Sequence, residues 1–226
     1  MKTTYYGHAC YAVEAAGKRL LFDPFICGNS LAAHIDIKTI RADYILLSHG
    51  HADHVADAAD IARRTEATVV SNFEIATWIA NAGVTKTHAM NHGGGWNFDF
   101  GRVKFVSAIH SSSLPDGAYG GNPGGFVVET GDGNFYHSGD TALTLDMKLI
   151  GEATALKFAM LCLGDNFTMG VDDAIKAAEF VRCDTILGMH YDTFPPIKID
   201  HASAIARFKA AGKTLHLPSI GQSVEL

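Results

Sequence analysis

Cysteine is scarce in this chain. Its four cysteines, Cys10, Cys27, Cys162 and Cys183, include no pair with C-x-x-C spacing. The chain has 226 residues with 47% hydrophobic content, which is enough for one large core that needs no covalent cross-link. We therefore expect no disulfide framework and predict reduced, mostly buried thiols.

Long apolar runs are also missing. The first six residues lack the apolar stretch of a secretory signal. No apolar run elsewhere approaches the roughly 20 residues that a membrane-spanning helix needs. These absences predict a soluble, cytoplasmic protein with no membrane span.

Positive charge is not in excess. Lysine and arginine together number 18, against 24 aspartates and glutamates, and the formal net charge is -6. This composition is not the basic footprint of a nucleic-acid-binding protein, although a local patch is compatible with a mildly acidic average. We expect a small-molecule substrate and no nucleic-acid partner, and the formation of a homo-oligomer stays open.

Short strands and helices follow one another along the chain without a linker or a low-complexity segment. Strands are predicted at residues 3–6, 10–14, 19–22, 44–47, 68–70, 103–109, 125–129, 134–137, 158–163 and 185–189. Helices are predicted at residues 55–64, 72–81, 172–181 and 201–210. This order predicts two packed sheets with helices outside them, in one α/β domain over residues 1–226.

The densest chemistry in the chain lies at residues 49–54. This segment contains His49, His51, Asp53 and His54, and it follows an apolar run that predicts a buried strand. Imidazole and carboxylate are the ligands that borderline divalent cations prefer, whereas a polar loop without such a role more often carries Ser, Asn, Gly or Lys. The spacing cannot turn all four side chains onto one ion, so it predicts two.

Four more polar residues lie just past the ends of predicted strands, where loops carry functional groups on a rigid scaffold. They are Asp23, His110, Asp140 and His190. Each of them alone is more typical of a capping or buried hydrogen-bonded side chain, and Asp23 before Pro24 could simply make a turn. Together, and in this order, they favour ligands that converge with the cluster on one site.

The H-x-H-x-D-H motif, followed by isolated His, Asp and His at strand ends, resembles the metallo-β-lactamase superfamily. The order and spacing of these residues extend over almost the whole chain. The resemblance implies a four-layer αββα sandwich. It also implies a metal-dependent hydrolase, in which a hydroxide bridging two divalent metals attacks an ester, lactone, amide or phosphodiester bond.

The same resemblance implies a role for each residue of the site. The first metal would be held by His49, His51 and His110, the second by Asp53, His54 and His190, and both by Asp140. Asp53, Asp140 and His190 are the implied catalytic residues, and Asp23 would hydrogen-bond a ligand imidazole. No cysteine falls at a ligand position, and nitrogen and oxygen ligation favours zinc, with manganese or iron as alternatives.

Flanking motifs resemble one branch of the superfamily. They lie at residues 7–9, 23–24, 137–141 and 189–195, and they are similar to small bacterial metal-dependent hydrolases, ascorbate-6-phosphate lactonases and N-acyl-phosphatidylethanolamine phospholipases. This implies that His8 lies at the rim of the site and contacts substrate, although a histidine at the edge of the core fits equally well. Tyr191 and Thr193 are further candidate substrate contacts, and His137 is interpreted as strand packing.

Two other functions stay open. The first is a nuclease or phosphodiesterase acting on nucleic acid. The processing nucleases of this superfamily carry a large extra domain after the bridging Asp, and positions 140 and 190 are only 50 apart here. The second is a non-catalytic, metal-dependent ligand sensor, against which the complete set of implied ligands argues. The loops at residues 26–39 and 111–122 carry no signature of a substrate.

Overall fold

Fourteen β-strands and six α-helices make up the computed structural model, which describes all residues from Met1 to Leu226. The strands are β1 (Lys2–Gly7), β2 (Cys10–Ala15), β3 (Lys18–Phe22), β4 (Tyr44–Leu46), β5 (Thr68–Asn72), β6 (Thr87–Met90), β7 (Gly95–Phe98), β8 (Gly101–Ser107), β9 (Gly124–Thr130), β10 (Gly133–His137), β11 (Phe158–Cys162), β12 (Thr185–Met189), β13 (Thr214–His216) and β14 (Ser223–Glu225). The helices are α1 (Ala52–Val55), α2 (Ala58–Thr65), α3 (Phe73–Asn81), α4 (Asp146–Ala153), α5 (Val171–Phe180) and α6 (His201–Ala210).

The strands form two seven-stranded sheets. The first sheet has the order β14-β1-β2-β3-β4-β5-β6, and the second has the order β13-β12-β11-β10-β9-β8-β7. Each sheet is mixed. Neighbouring strands are antiparallel from β1 through β3 and from β7 through β10. They are parallel from β3 through β6 and from β10 through β13. Because parallel strands end at the same edge of a sheet, the loops after them lie close together.

The core fills the space between the two sheets. Side chains alternate between the two faces of a strand. In β3, Leu20 and Phe22 therefore join the larger apolar cluster with Phe126 and Phe135 of the second sheet, while Leu21 joins the smaller cluster beneath α2 and α3. Full burial of one such side chain contributes about 1.5–3 kcal/mol. This double burial confirms the predicted α/β sandwich of two sheets flanked by helices.

The helix that we predicted at residues 55–64 is wrong in its bounds. The structure has two helices here, the four-residue α1 and then α2, with a break at Ala56 and Asp57. The buried Asp57 carboxylate accepts hydrogen bonds from the backbone N–H groups of Ile26 (2.6 Å) and Cys27 (2.9 Å). This contact ties the break to the loop after β3, and no local pattern could reveal it.

Short strands β6, β7, β13 and β14 and helix α4 were not predicted, since each has only three to eight residues. All four cysteines are free and three are buried, as expected. Each of the six helices is too short, or too polar, to cross a membrane.

Candidate metal centre

Five loops bring the predicted site residues to one place between the sheets. Asp23 directly follows β3, and His190 directly follows β12. His110 and Asp140 each come three residues after the end of a strand, β8 and β10. The H-x-H-x-D-H segment runs from the loop after β4 into α1, whose first turn contains Asp53 and His54. The convergence predicted from strand ends is therefore present.

The Asp140 carboxylate lies at the centre of these residues. Its Oδ2 atom is 2.9 Å from Nε2 of His190, 3.3 Å from His54, 3.6 Å from His110 and 3.9 Å from His49. All four imidazoles present the same nitrogen to the same oxygen. Asp140 is itself buried. One carboxylate oxygen thus faces histidines from both implied metal sites.

Three groups of side chains have ligand atoms close enough to hold a cation. Within each group, all ligand atoms lie within 4.8 Å of one another. The first consists of His49, His51 and His110, the second of His8, Asp53, His54 and His190, and the third of His49, His54 and Asp140. The first two correspond to the two implied sites, with His8 added to the second, and the third group connects them.

Unpaired buried atoms support a cation at this place. His54 Nε2 and Asp140 Oδ1 are buried and have no hydrogen-bond partner. Unpaired polar atoms in a protein interior are costly, because they have lost their hydrogen bonds to water. Imidazole nitrogens and a carboxylate, with no thiolate among them, form the donor set that zinc, manganese or iron(II) accepts. The residues present fit a divalent metal.

The pKa shifts favour the ligand forms of most of these groups. Burial lowers the pKa of His49 well below its usual range, and it also lowers the pKa of His51 and His110. Burial alone would raise the pKa of Asp140, but His54 and His190 outweigh it and hold that pKa well below its usual range. Neutral imidazoles and an ionised carboxylate are the forms that bind metal.

His54 differs from the other histidines. Burial acts to lower its pKa, but the carboxylates of Asp140 and Asp23 outweigh burial and raise that pKa well above its usual value. A protonated imidazole cannot bind a metal, so a cation must replace this proton. Asp140 and Asp23 favour a positive charge at His54, and a bound cation would supply that positive charge in place of the proton.

Asp23 contacts His54 directly and His49 through the hydroxyl of Ser48. Asp23 Oδ2 accepts from His54 Nδ1 (2.9 Å) and from the Ser48 hydroxyl (2.6 Å). Ser48 Oγ lies 3.0 Å from His49 Nδ1. Because the hydroxyl donates to Asp23, it accepts from His49, and both imidazoles therefore carry their proton on Nδ1. When both imidazoles are neutral, the Nε2 lone pairs of His49 and His54 then face Asp140.

Ser48 was missed in the sequence, whereas the role expected of Asp23 agrees with its contacts. Ser48 is a small hydroxyl residue directly before the first histidine of the motif, and this was the only local signal available. Its backbone N–H also donates to Asp23 Oδ1, at 2.8 Å. Asp23 thus accepts hydrogen bonds at both carboxylate oxygens, and its orientation is determined by the loop that carries the ligands.

His8 lies beneath the site and not on its surface. Its side chain has no exposed area, its Nε2 lies 3.1 Å from Asp53 Oδ2, and its Nδ1 lies 3.0 Å from the Thr193 hydroxyl. Burial lowers the pKa of His8 to about 4, against a smaller opposing effect of Asp53. The sequence suggested contact with substrate, but this burial leaves no side-chain surface for one.

Tyr191 and His137 also pack inside the protein. Tyr191 is buried and stacks on Tyr5, with 5.9 Å between ring centroids, so little of it could meet a substrate. His137 stacks on Phe22 at 4.9 Å, and its Nδ1 accepts from the Gly139 N–H at 3.1 Å. Packing was the interpretation of His137 from the sequence, and these contacts confirm it.

The loop at residues 111–122 is attached directly to the H-x-H segment. The Ser112 hydroxyl accepts from the Gly50 N–H (3.0 Å) and donates to the Gly120 carbonyl (2.9 Å). A Cβ at Gly50 would lie only 3.1 Å from Leu114, so this close contact favours glycine. The loop therefore borders the site.

Comparison with known proteins agrees with this geometry. A model of the β-lactamase superfamily domain matches residues 2–190, a segment that includes every predicted metal ligand. The chain belongs to the metallo-β-lactamase superfamily. Among its superfamily relatives, proteins of Flavobacterium johnsoniae and Christiangramia forsetii are 58% and 54% identical to it over the full length of each chain. Both are named as metal-dependent hydrolases, and this relationship identifies the chain as a member of that class.

Solved structures extend the likeness of this superfamily member to the whole fold. Igni18, described as a novel metallo hydrolase from the archaeon Ignicoccus hospitalis, has a TM-score of 0.88 and 32% identity, and the match covers 99% of this chain and 97% of that one. An isothiocyanate hydrolase from Delia radicum gut bacteria has a TM-score of 0.78 over 100% of this chain and 99% of that one, but only 20% identity. The second comparison supports the fold alone.

Proposed function

We propose that this protein is a dinuclear metal hydrolase that cleaves an ester, lactone, amide or phosphodiester bond in a small molecule. The observation that carries the proposal is the position of Asp140 Oδ2, 2.9 Å from His190 Nε2 and 3.9 Å from His49 Nε2. An oxygen between two groups of imidazoles is suited to bridge two cations. We assign this activity to one domain over residues 1–226.

The ligand sets follow the two groups of side chains. His49, His51 and His110 would hold one cation, Asp53, His54 and His190 the other, and Asp140 both. When bound, divalent cations would lower the pKa of a water towards neutrality and would polarise a carbonyl or phosphoryl oxygen. The nitrogen and oxygen donors favour zinc, with manganese or iron as alternatives.

Asp53 is one of the predicted ligands that are only partly buried. About a quarter of its side chain (26%) is exposed, whereas Asp140 is almost completely buried. Burial alone would raise the pKa of Asp53, but hydrogen bonding to His8 and the nearby His54 lower it well below its usual range. An ionised carboxylate that is partly exposed is suited to orient an attacking water by accepting its hydrogen bond.

Metal content and the Asp140→Ala variant test this proposal. Elemental analysis of the purified protein is expected to find up to two transition metals per chain. Asp140→Ala is expected to lose both the metals and all detectable hydrolysis, because it removes the oxygen between the ligand groups. Asp173→Ala, at an exposed carboxylate in the first turn of α5, is the matched control. Full activity in Asp140→Ala would refute the assignment.

A substrate screen separates this proposal from the two other functions considered above. Chromogenic esters, lactones, amides and phosphodiesters are incubated with the metal-loaded protein, beside single-stranded and double-stranded nucleic acid. Turnover confined to small molecules is the expected result. Cleavage of nucleic acid would favour a nuclease, and saturable binding without product in every class would favour a sensor.

A further inference from the structure

His8 has a left-handed backbone. Its φ is +56°, in a region that few residues other than glycine adopt, although histidine does so more often than most. Two hydrogen bonds to its carbonyl oxygen hold this conformation, one from the Tyr5 hydroxyl at 3.2 Å and one from the His190 N–H at 2.8 Å. The second bond ties His8 to a predicted ligand, so His8 and His190 are held together.

The ring of His8 is held at both nitrogens. Asp53 Oδ2, at 3.1 Å from Nε2, can only accept, so Nε2 carries the proton. Its Nδ1 lies 3.0 Å from the Thr193 hydroxyl oxygen, which is also 3.3 Å from the Tyr191 carbonyl oxygen. Thr193 therefore holds one side of the ring and Asp53 the other. A histidine that donates to a ligand carboxylate in this way is not free to use Nε2 as a ligand itself.

We propose that His8 is a positioning residue for the second cation: its Nε2–H holds one oxygen of Asp53, and this directs the other oxygen towards the cation. The inference rests on the proposed two-cation function. Outer partners of metal ligands commonly change affinity by about 10–100-fold when they are removed. The role also explains why a polar ring occupies a buried position beside His190, with only 4.2 Å between the ring centroids.

Two amide substitutions separate positioning from packing. The side-chain nitrogen of Gln reaches the place of His Nε2, so His8→Gln can still donate to Asp53. Asn reaches only the place of Nδ1, so His8→Asn loses that bond. Asn tolerates the left-handed backbone better than Gln. If His8→Asn loses metal and His8→Gln does not, backbone strain therefore cannot be the cause.

The experiment is a titration of zinc into chelator-stripped protein, followed by calorimetry and by elemental analysis after desalting. Wild type is expected to bind two zinc ions. His8→Asn is expected to bind one as tightly as wild type and the other about 10–100-fold more weakly, while His8→Gln stays within a few-fold of wild type. The Co²⁺ absorption spectrum of His8→Asn should change only in the contribution of the second ion. The control is Tyr11→Phe, which removes a buried hydrogen bond to a backbone carbonyl and not to a ligand side chain.

The outcomes distinguish this inference from the function on which it rests. If wild type binds fewer than two zinc ions, the proposed function fails. If wild type binds two and His8→Asn binds both equally well, or if Gln and Asn weaken the second ion equally, the positioning role fails and the function stands. Thr193→Val is a second test that leaves the ring in place. It should weaken the same ion by a smaller factor, and an unchanged affinity would overturn the proposal.

Discussion

Asp23 acts on two histidines through two different contacts. It accepts directly from His54, and it accepts from Ser48, which in turn accepts from His49. His49 belongs to the first ligand group and His54 to the second, and both belong to the third group that connects them, so one buried carboxylate sets the tautomer of an imidazole on each side. The two proposed metal sites are thus coupled at the level of single residues.

Ser48→Ala tests this coupling. The variant removes the contact of His49 with Asp23 and leaves the His54 contact intact. We expect the first cation to bind about 10–100-fold more weakly and the second to change much less. Asp23→Ala should weaken both. The measurement is a zinc titration with stoichiometry, as for His8.

Ser71→Ala is the matched control for Ser48→Ala. Ser71 is also buried and also donates a hydrogen bond, to the Leu47 carbonyl at 2.7 Å, but it contacts no ligand. It should lower stability without changing zinc affinity. If Ser48→Ala binds both ions like wild type, the hydroxyl does not orient His49.

At the scale of elements, the short helix α1 and the loop after β3 depend on one another. Helix α1 carries Asp53 and His54, and Asp57 just after it accepts two backbone hydrogen bonds from Ile26 and Cys27. A helix of four residues has little stability of its own, because nucleation of a helix is unfavourable. Its position is therefore maintained by such contacts and by the packing of buried Val55.

Asp57→Ala is expected to destabilise the protein by about 2–4 kcal/mol, because it leaves two backbone N–H groups without an acceptor. Urea unfolding measures this loss. Asp57→Asn retains a side-chain oxygen and should lose less than half as much. Equal losses in the two variants would mean that charge or packing, and not the two accepted hydrogen bonds, determines the effect.

At the scale of the whole molecule, cations would connect the loops of the two sheets. His49 and His54 come from the first sheet, whereas His110, Asp140 and His190 come from the second. A ligand that binds only the folded chain stabilises it by about 2.7 kcal/mol at a hundred times its dissociation constant. The centre is therefore expected to contribute to the stability of the whole fold.

Removal of metal should lower the melting temperature. With 1 kcal/mol worth about 2–4 °C in a protein of this size, saturating chelator is expected to lower Tm by about 5–11 °C. Re-addition of zinc should restore it. Calorimetry of wild type and Asp140→Ala makes the comparison, since the variant should show little response to chelator. An equal response in both would show that the metal acts elsewhere.

Acid should destabilise the folded chain through buried neutral histidines. Burial lowers the pKa of His137. Below about pH 6.5, this imidazole therefore takes up a proton in the unfolded chain but stays neutral in the folded chain. The contribution of His137 to the free energy of unfolding is complete above about pH 6.5. It falls with decreasing pH, by at most about 1.4 kcal/mol per pH unit. His137→Asn keeps an acceptor for Gly139 but does not titrate.

The comparison is urea unfolding of metal-free wild type and His137→Asn at pH 7.5 and 5.5. Asn is expected to lower stability at both values, because the stacking on Phe22 is lost. The decrease between pH 7.5 and 5.5 should be smaller in the variant than in wild type. Parallel decreases would mean that His137 takes up its proton equally in the folded and unfolded chains.

The chemistry of the site and the class of the fold could be predicted from the sequence alone. Strand periodicity predicted the two-sheet α/β sandwich, and the six-residue cluster with Asp23, His110, Asp140 and His190 predicted where ligands converge. Such patterns are local: a buried strand needs apolar residues, and a metal needs donors of the right chemistry at the strand ends. The bounds of α1 and α2 were wrong because Asp57 binds a loop about 30 residues away in the chain.

Only the tertiary structure decided how these donors are oriented. The hydrogen bond between His8 and Thr193 joins residues 185 positions apart, and that between His8 and Asp53 joins residues 45 apart. The hydroxyl of Ser48 acquires its role only when β3 and β4 bring Asp23 beside it. The sequence by itself determined which groups can bind a metal. The packing of the two sheets decided which atom of each group faces the centre, because burial and hydrogen-bond partners come from distant parts of the chain.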